Sequence, residues 1–68
     1  MCESSVFLRK DQSETLIMEN VAAILPRPEG KLILKGLLGD SMEVNGRIDE
    51  INLMAHKIII IGPSDDTL

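Results

Sequence analysis

No stretch of this chain keeps apolar residues at helical spacing over three turns. Short aliphatic runs are cut by turn residues every few positions instead, and that rhythm is what strands and tight turns produce. Val6-Phe7-Leu8 is followed by polar Lys10 to Ser13, and a second strand runs from Glu14 to Met18, which together predict a hairpin. Glu19-Asn20 interrupts that second strand, and Val21 to Leu25 resumes it as a bulged, bent strand or as one turn of helix. Pro26 to Gly30 places two prolines and a glycine in a loop. Lys31 to Leu38 reads as a strand, Gly39-Asp40-Ser41 as a turn, and Met42 to Val44 as a short strand. Asn45-Gly46 is the strongest hairpin-turn dipeptide. After it Ile51 and Leu53 alternate with polar neighbours, Met54-Ala55-His56 suggests another turn, and Lys57 to Ile61 has the β-branched run of a strand buried on both faces. The expected fold is all-β: a small SH3-like or Sm-like barrel, or a rolled antiparallel sheet, of five to six short strands. Residues 1–63 are expected to form this single domain, and 64–68 a polar tail that frays.

Size sets the next constraint. A domain of this length buries only about 60% of the surface its unfolded chain exposes. The single cysteine, Cys2, rules out an internal disulfide, and one Cys with one His cannot close a four-ligand zinc site. Hydrophobic residues make up 44% of the chain with Phe7 as the lone aromatic, which is much aliphatic side chain for one thin core. A homodimer with an aliphatic interface, drawn from Lys57 to Ile61 and Lys31 to Leu38, is therefore expected.

Charge argues against nucleic acid. The net charge is −4, and the seven basic residues are scattered apart from the pair Arg9-Lys10. Without Trp or Tyr there is little of the stacking platform that single-strand binders use. An Sm-like RNA-binding module or a plain protein-interaction barrel remains as the alternative, carried by the strand pattern alone. The longest apolar runs are far short of a membrane span, and Glu3-Ser4-Ser5 stands where a secretory signal would be basic. With one unpaired Cys, the expectation is a cytoplasmic protein. No phosphate loop is present, and five serines share one histidine, so no enzyme chemistry is expected of the chain by itself.

Cys2 is the distinctive group because of its position. Methionine aminopeptidase removes Met1 when a small residue follows, and Cys qualifies. A terminal cysteine offers its α-amine and its thiolate on neighbouring carbons, which together close a five-membered chelate ring on one metal ion. With ordinary pKa values of about 7.7–8.0 and about 8.5, both groups lose their protons to a metal near neutral pH. Two such termini at a dimer axis would present a flat set of two nitrogens and two sulfurs, the geometry of Ni(II) and Cu(II). Free cytosolic Cu(II) is scarce, which favours nickel. A lone terminal Cys also reads as a small apolar filler. His56 reads as a solvated turn residue, too far from Cys2 in sequence to show metal-ligand spacing. Asp49 and Glu50, as strand neighbours, are expected on opposite faces, and Asp65-Asp66 in the tail; both pairs read as solvated surface. Met18, Met42 and Met54 are expected in the core.

The opening Met1-Cys2-Glu3-Ser4 before a Val6-Phe7-Leu8 strand resembles the CooT family of nickel-binding accessory proteins. Met18-Glu19-Asn20-Val21, the turn Pro28-Glu29-Gly30-Lys31, Gly46 to Leu53 and Lys57 to Ile61 agree with it, so that the likeness extends to about Gly62. It implies a small β-rich homodimer that binds Ni(II) through Cys2 and supplies carbon monoxide dehydrogenase. Members have also been labelled predicted RNA-binding proteins, which the acidic charge does not support. The small hydrogenase-maturation chaperones also begin Met-Cys, but continue Ala-Ile-Pro, and Ser4-Ser5-Val6 departs from them.

Overall fold

The structure is a computed structural model and describes residues 4–62. Six strands form one sheet: β1 (Ser4–Lys10), β2 (Ser13–Arg27), β3 (Lys31–Gly36), β4 (Ser41–Asn45), β5 (Arg47–Asn52) and β6 (Lys57–Ile61). Their order across the sheet is β4-β3-β2-β1-β6-β5. The all-β expectation holds in its rolled-sheet form, with one difference. The sheet is mixed, because β1 and β6 run parallel while every other pair is antiparallel. It is rolled and not closed, because edge strands β4 and β5 are not hydrogen-bonded to each other.

The roll comes from β2. Its first part pairs with β1, from Lys10↔Ser13 to Ser4↔Val21, and its second part pairs with β3, from Val21↔Gly36 to Arg27↔Lys31. The handover falls beside Asn20, which sits in the left-handed region at φ +56°, with register shifts on both neighbouring strands. Asparagine tolerates that conformation better than most residues, and a bulge increases local bend and twist. Of the two alternatives for Val21 to Leu25, the bent strand is the one formed. Pro26 and Arg27 also belong to β2, so the turn shrinks to Pro28-Glu29-Gly30.

Folding β2 over its middle encloses Val6, Val21, Leu32, Leu34 and Ile60, with Leu8, Ile17, Met18, Ile24, Val44 and Ile58 against them. This core takes in Leu32 and Leu34 of the first expected interface strand and Ile58 and Ile60 of the second, while Leu37 and Leu38 stay exposed. Both strands have neighbours on each side, and β3 stops at Gly36, short of Leu38. Ile60 lies in the core while Ile59, on the opposite face, is buried as well, as the β-branched run predicts. Met18 packs on the core, but Met42 is partly exposed and Met54 is 92% exposed, so Met54 is not a core residue.

Asn45-Gly46 is a corner and not a hairpin turn. Gly46, at φ +155°, donates its N–H to the Gly30 carbonyl at 2.8 Å, and the chain then leaves β3 to pair with β6 from Arg47↔Ile61. A Cβ at Gly46 would stand 2.5 Å from the Ile61 carbonyl oxygen, so only glycine permits this approach. The expected domain boundary at residue 63 and the tail 64–68 lie outside the described residues.

Candidate functional site

The start of β1 is where the chain leads into Cys2, which itself lies outside the described residues. Three segments meet there. Ser5 donates its N–H to the His56 carbonyl at 2.9 Å, and the parallel register sets Ser5 opposite Lys57. The Asn52 side-chain carbonyl accepts the Ala55 N–H at 3.0 Å and closes the turn into β6, with His56 at φ +55°. On the other side Ser4 faces Val21 and Val21 faces Gly36. Leu37 donates its N–H to the Asn20 carbonyl at 3.0 Å, which holds the β3–β4 turn at the same end.

This end carries the most exposed large apolar side chains among the described residues: Leu38 at 95%, Met54 at 92% and Leu53 at 78%, with Ile51 and Leu37 next to them in sequence. Their presence on turns, where polar residues are usual, marks a surface suited to contact rather than to solvent. Sequence reading drew the apolar contact surface from Lys31 to Leu38 and Lys57 to Ile61, which takes in Leu37-Leu38 but not Leu53-Met54; the signal for the latter is an apolar pair beside turn residues.

Among the described residues no three His, Cys, Asp or Glu side chains gather as a metal site. His56 is exposed, and the parallel pairing of β1 with β6 brings its backbone beside Ser5, which its distance from Cys2 in sequence conceals.

Asp49 and Glu50 do not point to opposite faces as expected. A register shift between Ile48 and Glu50 leaves Asp49 unpaired in β5, and both carboxylates turn toward Arg9. Arg9 Nη2 lies 2.7 Å from Glu14 Oε2 and Nη1 lies 2.8 Å from Asp49 Oδ2, while Lys57 Nζ reaches Glu14 Oε1 at 3.0 Å. Lys57 also stands 5.0 Å above the centre of the Phe7 ring. The hydrogen bond from Arg9, followed by that from Lys57, lowers the pKa of Glu14, and the hydrogen bond to Glu14 raises that of Arg9. This lattice lies over the outer face of β1 and β6; direct cross-strand pairing sets Arg9 opposite Glu14, and the shift in β5 accompanies the turn of Asp49 and Glu50 toward Arg9. It also engages two of the basic residues, and Glu43 faces a third, Lys31, at 3.6 Å, which leaves still less positive surface for a phosphate backbone.

At the far end of the sheet an open cleft of about 420 Å³ lies between the Glu29-Gly30-Lys31 turn, the Asn45-Gly46-Arg47 corner and Ile61-Gly62. It is remote from Ser4 along both β1 and β6. No helix among the described residues is long and apolar enough to cross a membrane.

Comparison with known proteins places this geometry. The chain is similar to a chain from Carboxydothermus hydrogenoformans assigned to CooT and solved by crystallography. The two superpose with a TM-score of 0.84 at 29% identity, covering 91% of this chain and 98% of the other. It is also similar to an uncharacterized protein of Archaeoglobus fulgidus, 44% identical over 45 residues that make up 66% of this chain and 98% of the relative. The family model described as CO dehydrogenase accessory protein CooT matches residues 1–61. This chain belongs to the CooT family of CO dehydrogenase accessory proteins.

Proposed function

We propose that this protein binds Ni(II) through the amine and thiolate of Cys2 and hands it to carbon monoxide dehydrogenase, as a homodimer in the cytoplasm. Membership of an accessory family for that enzyme is the observation that carries the reading. Chemistry supports it: thiolate with a neighbouring amine suits a borderline ion in planar coordination, and the described sheet offers no rival cluster of ligands. The exposed Leu38, Leu53 and Met54 support the dimer, because a two-fold contact over these turns would cover apolar surface and bring two chain starts together. One ion shared by two chains then has its four ligands, and binding it stabilises the pair by mass action.

Titration with Ni(II), followed by thiolate-to-nickel charge-transfer absorbance, tests the reading. Binding is expected to saturate at one ion per two chains and to be lost in Cys2→Ser. A Cys2→Ser protein that binds nickel as tightly as the parent would overturn it. A mass spectrum of the purified protein should show Met1 removed, since a retained Met1 separates the amine from the thiol.

A further inference from the structure

We propose that the outer edge of β4 is a docking site for an extended segment of another protein, which lengthens the sheet by one strand and sets a basic side chain beside Glu43. A rolled sheet that does not close leaves two edges, and an edge offers unpaired N–H and C=O groups to any chain that can extend beside it. The two edges here are unequal. β5 is guarded: a register shift between Ile48 and Glu50 breaks its ladder, and Arg9 draws Asp49 and Glu50 onto the outer face. β4 carries no such device. Its register with β3 runs without a shift from Lys31↔Asn45 to Lys35↔Ser41. Ser41-Met42-Glu43-Val44-Asn45 contains neither proline nor lysine, and Glu43 is its one charge. β3 lies on one side of it and no described strand on the other.

The faces of β4 specify the strand that fits. Side chains alternate across a sheet. Met42 and Val44 stand opposite Leu34 and Leu32, which are buried, so theirs is the core face. Val44 packs on the core, but Met42 is left 39% exposed at its margin. Glu43 stands opposite Ile33 on the other face, where Lys31 approaches it at 3.6 Å and leaves its side chain 56% exposed. An added strand would cover Met42 with an apolar residue and bring another residue directly beside Glu43. A facing charge of opposite sign favours such a pair, and a like charge opposes it. The same rule argues against a second copy as the occupant. Pairing β4 with itself about a two-fold axis over its full length sets Met42 against Val44 but Glu43 against Glu43. The occupant is therefore a foreign strand with an apolar–basic–apolar pattern. Its backbone supplies affinity, and its alternating side chains supply specificity. This inference stands apart from the nickel reading.

The test titrates full-length 15N-labelled protein with the end-blocked peptide Thr-Thr-Val-Lys-Val-Thr-Thr and follows the amide resonances. Shifts are expected to centre on Ser41–Asn45. The same peptide with Glu in place of Lys should bind about threefold more weakly or worse. A Lys peptide methylated on its central backbone nitrogens keeps its side chains but loses its donors, and should not bind. In Glu43→Lys the preference should reverse to the Glu peptide. That variant is still net acidic, so attraction to the whole protein would keep the Lys peptide ahead. Shifts centred on β5 or on the Leu38 and Met54 turns would overturn the proposal. So would no shift at all, equal binding of the methylated peptide, or an unreversed preference in Glu43→Lys. Movement of the β4 resonances on dilution of the protein alone would put a second copy at this edge and overturn it too. Should Glu43→Lys fail to fold, the three peptides on the parent protein decide.

Discussion

The two ends of the rolled sheet are built in opposite ways. At the far end, Gly46 lets its backbone approach the Ile61 carbonyl so closely that a Cβ there has no room. That end joins β4 to β5 and fixes how far the sheet can open. At the end where β1 begins, two turns carry Leu38, Leu53 and Met54 almost entirely in solvent. Side chains there are free to be covered by something else. Backbone crowding without side chains secures a fold, and side chains without cover offer a surface. The metal reading falls at the second kind of end, where a ligand or a partner can arrive without disturbing the corner that holds the roll.

Substitution at the corner should have the largest effect on stability. Gly46→Val combines a strained backbone with overlap onto the Ile61 carbonyl and the Ile60 side chain. Its cost should be about 2–6 kcal/mol, a large share of what a domain of this size has. A urea melt showing a loss below about 1 kcal/mol, no more than an average substitution costs, would break the view of the corner as the closure of the roll. Gly30→Ala sharpens it: φ is +71° but nothing lies within 4 Å of the added methyl, so only backbone strain remains, about 1 kcal/mol.

At the opposite end, the pair Leu38→Lys and Met54→Lys should change the stability of the single chain by no more than about 0.5 kcal/mol each. The same pair should turn a dimer into a monomer in sedimentation equilibrium. A loss of stability like that of a core residue would mean that the turns are part of the fold and not a contact surface. The smallest effect belongs to the outer face. Arg9 and Lys57 hold the folded pKa of Glu14 below its ordinary value of 4.5. The stabilisation is therefore complete above that value and is lost as pH falls through the lower, folded one. Denaturant midpoints measured from about pH 6 down to about pH 3 should fall less steeply in Glu14→Gln than in the parent, and parallel curves would show that the lattice carries no linkage.

Much of the strand map was legible because strand chemistry is local. The turn at Asp11-Gln12, the bend near Asn20, the turn before Lys57 and the double burial of β6 each follow from a few adjacent residues. Asn45-Gly46 shows the limit of such reading. The dipeptide does suit a hairpin, but the Gly30 carbonyl and the end of β6 claim Gly46, and neither is near it in sequence. Asp49 and Glu50 show it again, since strict alternation separates them and one extra residue in β5 reunites them on Arg9.

By itself the sequence determined that this chain is all-β, that its aliphatic residues are many for one thin core, and that Cys2 is its one thiol. Those are properties of composition, of short-range pattern and of covalent chemistry. Only the tertiary structure decided which apolar residues stay outside, because strands β3 and β6 gained neighbours on both sides and the turns did not. Only it set His56 beside the start of β1, because a parallel pair joins residues from the two ends of a chain, and no local signal records which distant strand will supply the second half of that pairing.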